Sequence, residues 1–296
     1  MNTRSAATLA VITALALAVG GCGSTDIADH GAAGPATSST ATAATPANPV
    51  GVIAIGHSGL TGEGSDPNRP GQVALENSWA TGTSPQVNSI YRRLAAVRPA
   101  TDGHVANTAQ GGAPASSLAA QAQFALETVP TPALVVVQTI DNDIRCDGTD
   151  DAHVPEFGVA LKDALQVVTT ASPDSRILVV GQLGRPIPSF VKQLVAEDPS
   201  VKAELTGTGM CDFYGPDGVL NKKAFATLTS IIEDYETEQA RVCATVPNCG
   251  TDDGARAAYV DRLENFSSDW NHLNERGQAE VAEITWHAAA ALLELT

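Results

Sequence analysis

Basic residues are scarce: the 296-residue chain carries 17 Lys and Arg against 33 Asp and Glu, a formal charge of −16. A surface of that sign argues against nucleic-acid binding and against a polybasic grip on anionic lipids, both of which need clustered cations. Solubility outside the cell is a sufficient use for the acidity. No C-x-x-C pair occurs among the five cysteines, so they offer no zinc-site spacing, and no motif requires a cofactor or a metal. The acidic stretch Asp147-Gly148-Thr149-Asp150-Asp151 lacks the spacing of an EF-hand and reads as a solvated loop. The most prominent apolar run, Ala6 to Val19, is interrupted by Thr8 and Thr13 and is short for a membrane span. Neither an internal repeat nor a second domain is visible.

That run follows Arg4 and ends in Val19-Gly20-Gly21-Cys22, which reads as an export signal over residues 1–21. The ending resembles a bacterial lipobox, which implies a lipidated Cys22 as the first mature residue and a location at the outer face of the cell membrane or envelope. Removing Cys22 leaves Cys146, Cys211, Cys243 and Cys249, an even set that suggests two disulfides in an exported protein. Three pairings are open. Cys243 with Cys249 around Pro247-Asn248, and hence Cys146 with Cys211, is favoured because the first pair closes a short loop. Residues 22–49 are low in large apolar side chains and predict a disordered tether.

From Val50 to the end, at residue 296, short apolar runs alternate with amphipathic segments. Strands are predicted at Val50–Ile55, His104–Thr108, Ala133–Ile140, Arg176–Gly181 and Ala257–Val260. Helices are predicted at Val87–Val97, Ser116–Thr128, Glu156–Thr169, Ser189–Leu205, Asn221–Arg241 and Asn274–Leu295. Such alternation predicts a five-stranded parallel sheet in a flavodoxin-like three-layer α/β/α sandwich, because parallel strands need crossover connections. Ligands then bind at the carboxyl ends of the strands.

Candidate chemistry falls at those ends. Gly56-His57-Ser58-Gly59-Leu60 follows the first strand and suggests a nucleophile elbow, but that turn reads G-x-S-x-G and position 60 is leucine. An elbow serine would also lie well inside the domain, with its acid and base on separate loops. Here Ser58 opens the domain, while Asp269-Trp270-Asn271-His272 puts an acid and a base together near its end. Gly112, in Gln110-Gly111-Gly112-Ala113, follows the second strand, and Asn142, in Asp141-Asn142-Asp143, follows the third. Singly, each has an ordinary structural use as a turn serine, a turn glycine, a strand-end asparagine, a solvated acid or a helix-start histidine.

Taken in order, these four segments resemble the conserved blocks of the SGNH, or GDSL-like, hydrolases, across essentially the whole domain. The resemblance implies cleavage of carboxylic esters and related acyl bonds, by an esterase or lipase. Ser58 would be the nucleophile, His272 the base that takes its proton, and Asp269 the group that fixes the imidazole tautomer. The Ser58 amide, the Gly112 amide (Gly111 in an alternative register) and the Asn142 side chain would form the oxyanion hole. The substrate would be a small-molecule or lipid ester, the membrane would be met through the lipid anchor, no nucleic acid would bind, and the protein would be a monomer.

Two positions depart from the pattern. His57 replaces the aspartate usual before the serine, and Asp141 stands where the third block usually has glycine. These departures keep two other readings open: an acyltransferase on the same fold, and an envelope-ligand-binding lipoprotein without turnover.

Overall fold

Residues 52–56, Val-Ile-Ala-Ile-Gly, are buried at all five positions, as a strand covered on both faces must be. In the computed structural model, which describes residues 48–295, this is β1 (Val52–Gly56). It is followed by β2 (Val105–Asn107), β3 (Leu134–Gln138), β4 (Arg176–Val180) and β5 (Cys249–Thr251). All pairings are parallel and the spatial order is β2-β1-β3-β4-β5. The predicted export signal, Cys22 and the tether as far as residue 47 lie outside the described residues. No helix among the described residues is long and apolar enough to cross a membrane.

Side chains alternate across the sheet with the period of two that pleating imposes. Ile53, Ile55, Val135, Val137, Ile177 and Val179 face a core completed by α2 (Leu118–Thr128), α3 (Asp150–Ala171) and α6 (Lys222–Cys243). Val52, Ala54, Leu134, Val136, Leu178 and Val180 face the opposite core, completed by α1 (Ile90–Val97) and α7 (Glu275–Leu292). The result is the predicted three-layer sandwich. Burying each large aliphatic side chain contributes roughly 1.5–3 kcal/mol, and the three central strands contribute on both of their faces. Two further helices, α4 (Pro188–Glu197) and α5 (Val201–Glu204), cover a satellite cluster of Val191, Tyr214 and Phe225.

The fifth strand lies elsewhere than predicted. Residues 257–260 run from the end of a turn into irregular chain, with Val260 61% exposed, and the edge strand is Cys249–Thr251 instead. Three residues interrupted by Gly250 give no periodic signal, whereas the alanines of Ala257-Ala258 carry apolar character without filling a core. The third helix starts at Asp150 instead of Glu156, so Pro155 lies within it. The carboxylate of Asp150 accepts the amides of Arg145 and Cys146 at 2.8 and 3.0 Å, tying the preceding loop to the first turn.

Both favoured disulfides are present, Cys146–Cys211 and Cys243–Cys249. Closure of the longer loop, with a sequence separation of 65, removes roughly 4 kcal/mol of unfolded-state entropy; the separation of 6 in the shorter one corresponds to roughly 2 kcal/mol.

Candidate active site

The order β2-β1-β3 places the reversal of the sheet between β1 and β3, where open parallel sheets present a crevice. Ser58 emerges there as the first residue of a single 3-10 turn, Ser58–Leu60. Gly56 adopts φ +149°, and a Cβ there would lie 1.9 Å from the Gln138 carbonyl oxygen, so glycine is required for β1 to pass β3. The turn is held from several sides. His57 Nδ1 accepts the Gly59 amide (3.1 Å), the Trp79 indole donates to the Gly59 carbonyl (3.0 Å), and Asn107 Nδ2 donates to the Leu60 carbonyl (2.9 Å). Leu60 is a fully buried anchor of the turn.

Gln121, on α2, was not singled out by sequence. Its Oε1 accepts the Gly56 amide at 2.6 Å and its Nε2 donates to the Gly56 carbonyl at 3.0 Å, so one side chain pairs with both backbone polar groups of the glycine that leads to the serine turn.

The acid and base come from a tight loop that leads into α7. Ser267 N donates to the His272 carbonyl at 2.8 Å, closing the loop, and Trp270 takes a left-handed conformation at φ +56°. Asp269 Oδ2 stands 2.8 Å from His272 Nδ1, while Oδ1 accepts the Ser267 hydroxyl (2.6 Å) and the amides of Asn271 and His272 (2.9 Å each). Burial pushes the Asp269 carboxyl up, but the hydrogen bonds from His272, Ser267 and Asn271 outweigh it and hold the group at about 2. A carboxylate fixed on Nδ1 leaves Nε2 as the working nitrogen of His272.

Ser58 and His272 line the same cavity of about 70 Å³, together with His57, Gln138, Asp141, Gln182 and Arg256. His272 Nε2 is buried there without a hydrogen-bond partner and lies 3.7 Å from Glu63 Oε2. Leu183, Gln182 and Asn271 also line an adjoining cavity of about 300 Å³, whose walls include Phe190, Leu194, Phe213 and Trp270. A cavity of mixed lining, polar groups alongside Trp79, Leu183 and Leu273, thus lies beside the serine, and a more apolar one adjoins it.

Gly112 and Asn142 are outside the lining of the small cavity. They belong to the loops after β2 and β3, which are joined where Asn142 Nδ2 donates to the Ala113 carbonyl at 3.3 Å. Asp143 clamps the same pair of loops, accepting the Ala115 amide at 3.0 Å and the Thr139 hydroxyl at 3.0 Å. The left-handed backbone that favours glycine in this block falls on Ile140, at φ +96°, one residue before Asp141. Asp141 is instead an exposed rim residue whose Oδ1 accepts from Gln182 Nε2 at 3.0 Å.

His57 is 3% exposed. Burial, aided by the charges of Arg256 and His272 and opposed by Asp141, lowers its imidazole to about 4, so it is neutral at neutral pH. With Nδ1 accepting from Gly59, its proton resides on Nε2.

The chain is similar in fold to several lipases and esterases. An extracellular lipase from Streptomyces rimosus matches at 15% identity over 81% of this chain and 99% of that one, with a TM-score of 0.49. A putative GDSL-like lipase from Parabacteroides merdae matches at 14% identity over 83% and 97%, TM-score 0.48. An acetyl xylan esterase from Butyrivibrio proteoclasticus matches at 13% identity over 85% and 66%, TM-score 0.47. No family model and no curated protein matches the sequence.

Proposed function

We propose that this protein is a serine esterase in which Ser58 attacks the ester carbonyl, His272 carries the proton and Asp269 holds the imidazole. The observation that carries the reading is the joint placement of Ser58 and His272 in one cavity, with Asp269 2.8 Å behind the imidazole. Ser58 Oγ bonds to the acyl carbon as its proton passes to His272 Nε2. Collapse of the tetrahedral intermediate expels the alcohol with that proton, and water then releases the acid by the same route. Among the described residues, the Ser58 and Gly112 amides donate to no other backbone group, which leaves them available to a developing oxyanion alongside Asn142.

The apolar cavity lined by Phe190, Leu194 and Phe213 gives the hydrophobic part of a substrate a place beside the reacting centre. We further propose export with lipidation at Cys22, residues 22–49 acting as tether; the two disulfides support an oxidising destination.

Labelling with a fluorophosphonate probe and turnover of p-nitrophenyl butyrate test the reading. Wild type should label at Ser58, and Ser58→Ala should lose both labelling and turnover. Hydrolysis retained by that variant would overturn the assignment.

A further inference from the structure

Seven buried side-chain polar atoms among the described residues lack a hydrogen-bond partner. Five of them, on His57, Gln138, Gln182, Arg256 and His272, belong to residues lining the cavity of Ser58. Each orphaned group costs roughly 1–3 kcal/mol of desolvation, so such groups are few in native proteins. Their concentration in one cavity beside a nucleophile marks a place built for polar contacts.

The chemistry of the orphans is mixed. Arg256 is 2% exposed, its guanidinium lies 5.1 Å from the Trp79 ring, and Nε donates to the Gly181 carbonyl at 2.9 Å, which leaves Nη1 unpartnered. His57 presents a second donor at Nε2, because Nδ1 is committed to Gly59. Gln138 Oε1 and Gln182 Oε1 are acceptors. His272 Nε2 belongs to the proton transfer.

Two donors and two acceptors carried by residues of one lining select among ligand groups. An alkyl group would satisfy none of them. A carboxylate could accept from Arg256 and His57 but could donate to neither carboxamide oxygen. It would also meet the carboxylate of Asp141 in the same lining, and Asp252, Asp141 and Glu236 already surround the Arg256 charge. An ammonium could donate only. A hydroxyl does both, and a cavity of about 70 Å³ has room for roughly two water-sized groups.

We propose that this cavity receives a hydroxyl-bearing substituent close to the scissile bond, so that the preferred substrates are short esters carrying a free hydroxyl two or three bonds from the ester, in place of plain alkyl esters. The hydroxyl oxygen accepts from Arg256 or His57 and its proton goes to Gln138 or Gln182. The inference rests on the serine-esterase reading and names the substrate class for the same site.

Two matched pairs test it and distinguish the side that carries the hydroxyl: ethyl 3-hydroxybutyrate against ethyl butyrate, and 2-hydroxyethyl butyrate against propyl butyrate. The readout is kcat/KM by acid release. In at least one pair the hydroxylated ester should be preferred by about tenfold or more, because an ester without it leaves the lining unpaired. Gln138→Met and Gln182→Met should bring that ratio toward one, and fluorophosphonate labelling of Ser58 checks that the site has formed. Gln182 is only half-buried, so Gln182→Met serves alone if Gln138→Met does not fold. Ratios of about one or below in both pairs, with an active wild type, overturn the inference and leave the esterase standing. An unlabelled wild type that hydrolyses none of the four esters removes both.

Discussion

Asp269 grips His272 at two points: Oδ2 lies 2.8 Å from the ring Nδ1, and Oδ1 accepts the same residue's backbone amide at 2.9 Å. The carboxylate therefore sets both where the histidine stands and how its ring is turned. Asp269→Asn keeps the shape but can present its amide NH₂ to Nδ1, which favours the wrong tautomer. We expect kcat on a short ester to fall by about 10⁴-fold, with KM little changed. Steady-state kinetics check this, and a loss below about tenfold would remove Asp269 from the proposed machinery.

His57 links the serine turn to acid stability. Its imidazole is lowered from 6.5 to about 4 in the fold, chiefly by burial. Between those values the unfolded chain binds the proton that the native state refuses, so native stability is full above about pH 6.5 and falls as pH drops toward 4. The difference corresponds to roughly 3 kcal/mol. Urea unfolding at pH 7 and pH 4.5 should show the decline in wild type and a shallower one in His57→Asn. Equal declines would locate the acid sensitivity elsewhere.

Gln121 carries no chemistry, yet it pairs with both the backbone N–H and the carbonyl of Gly56. In Gln121→Leu the Gly56 amide is buried without an acceptor, while the Gly56 carbonyl keeps the bond from the Gln110 amide at 3.1 Å. Stability should drop by about 2 kcal/mol in urea titration, accompanied by slower esterase turnover as the Ser58 turn loosens. Unchanged stability would contradict this.

What the sequence makes legible here is what is local or periodic. β1, β3 and β4 are continuous apolar runs, and Asp269-x-x-His272 completes its geometry within four residues, so both can be read without the fold. Gln138, Gln182 and Arg256 come from three separate parts of the chain and meet only because of the order of the strands and the loops that follow them. Gln138 ends an apolar run and Arg256 sits in a featureless loop, so neither advertises a site. β5 escapes for a different reason: an edge strand of three residues, paired on one side only, leaves too short a pattern to detect. His57, an oddity in the motif, is explained by position, since it caps the serine turn with one nitrogen and lines the cavity beside the serine.

The Cys146–Cys211 bridge joins the segment just beyond Asn142 to the neighbourhood of Phe213, a wall of the apolar cavity. Two segments 65 residues apart along the chain are thus fastened to each other as well as to the core beneath them. The bridge acts as a strut between the loop that carries Asn142 and the segment that carries Phe213. Cut by a reductant, it would leave each segment moored to the core by packing alone, with nothing covalent to keep the two in step.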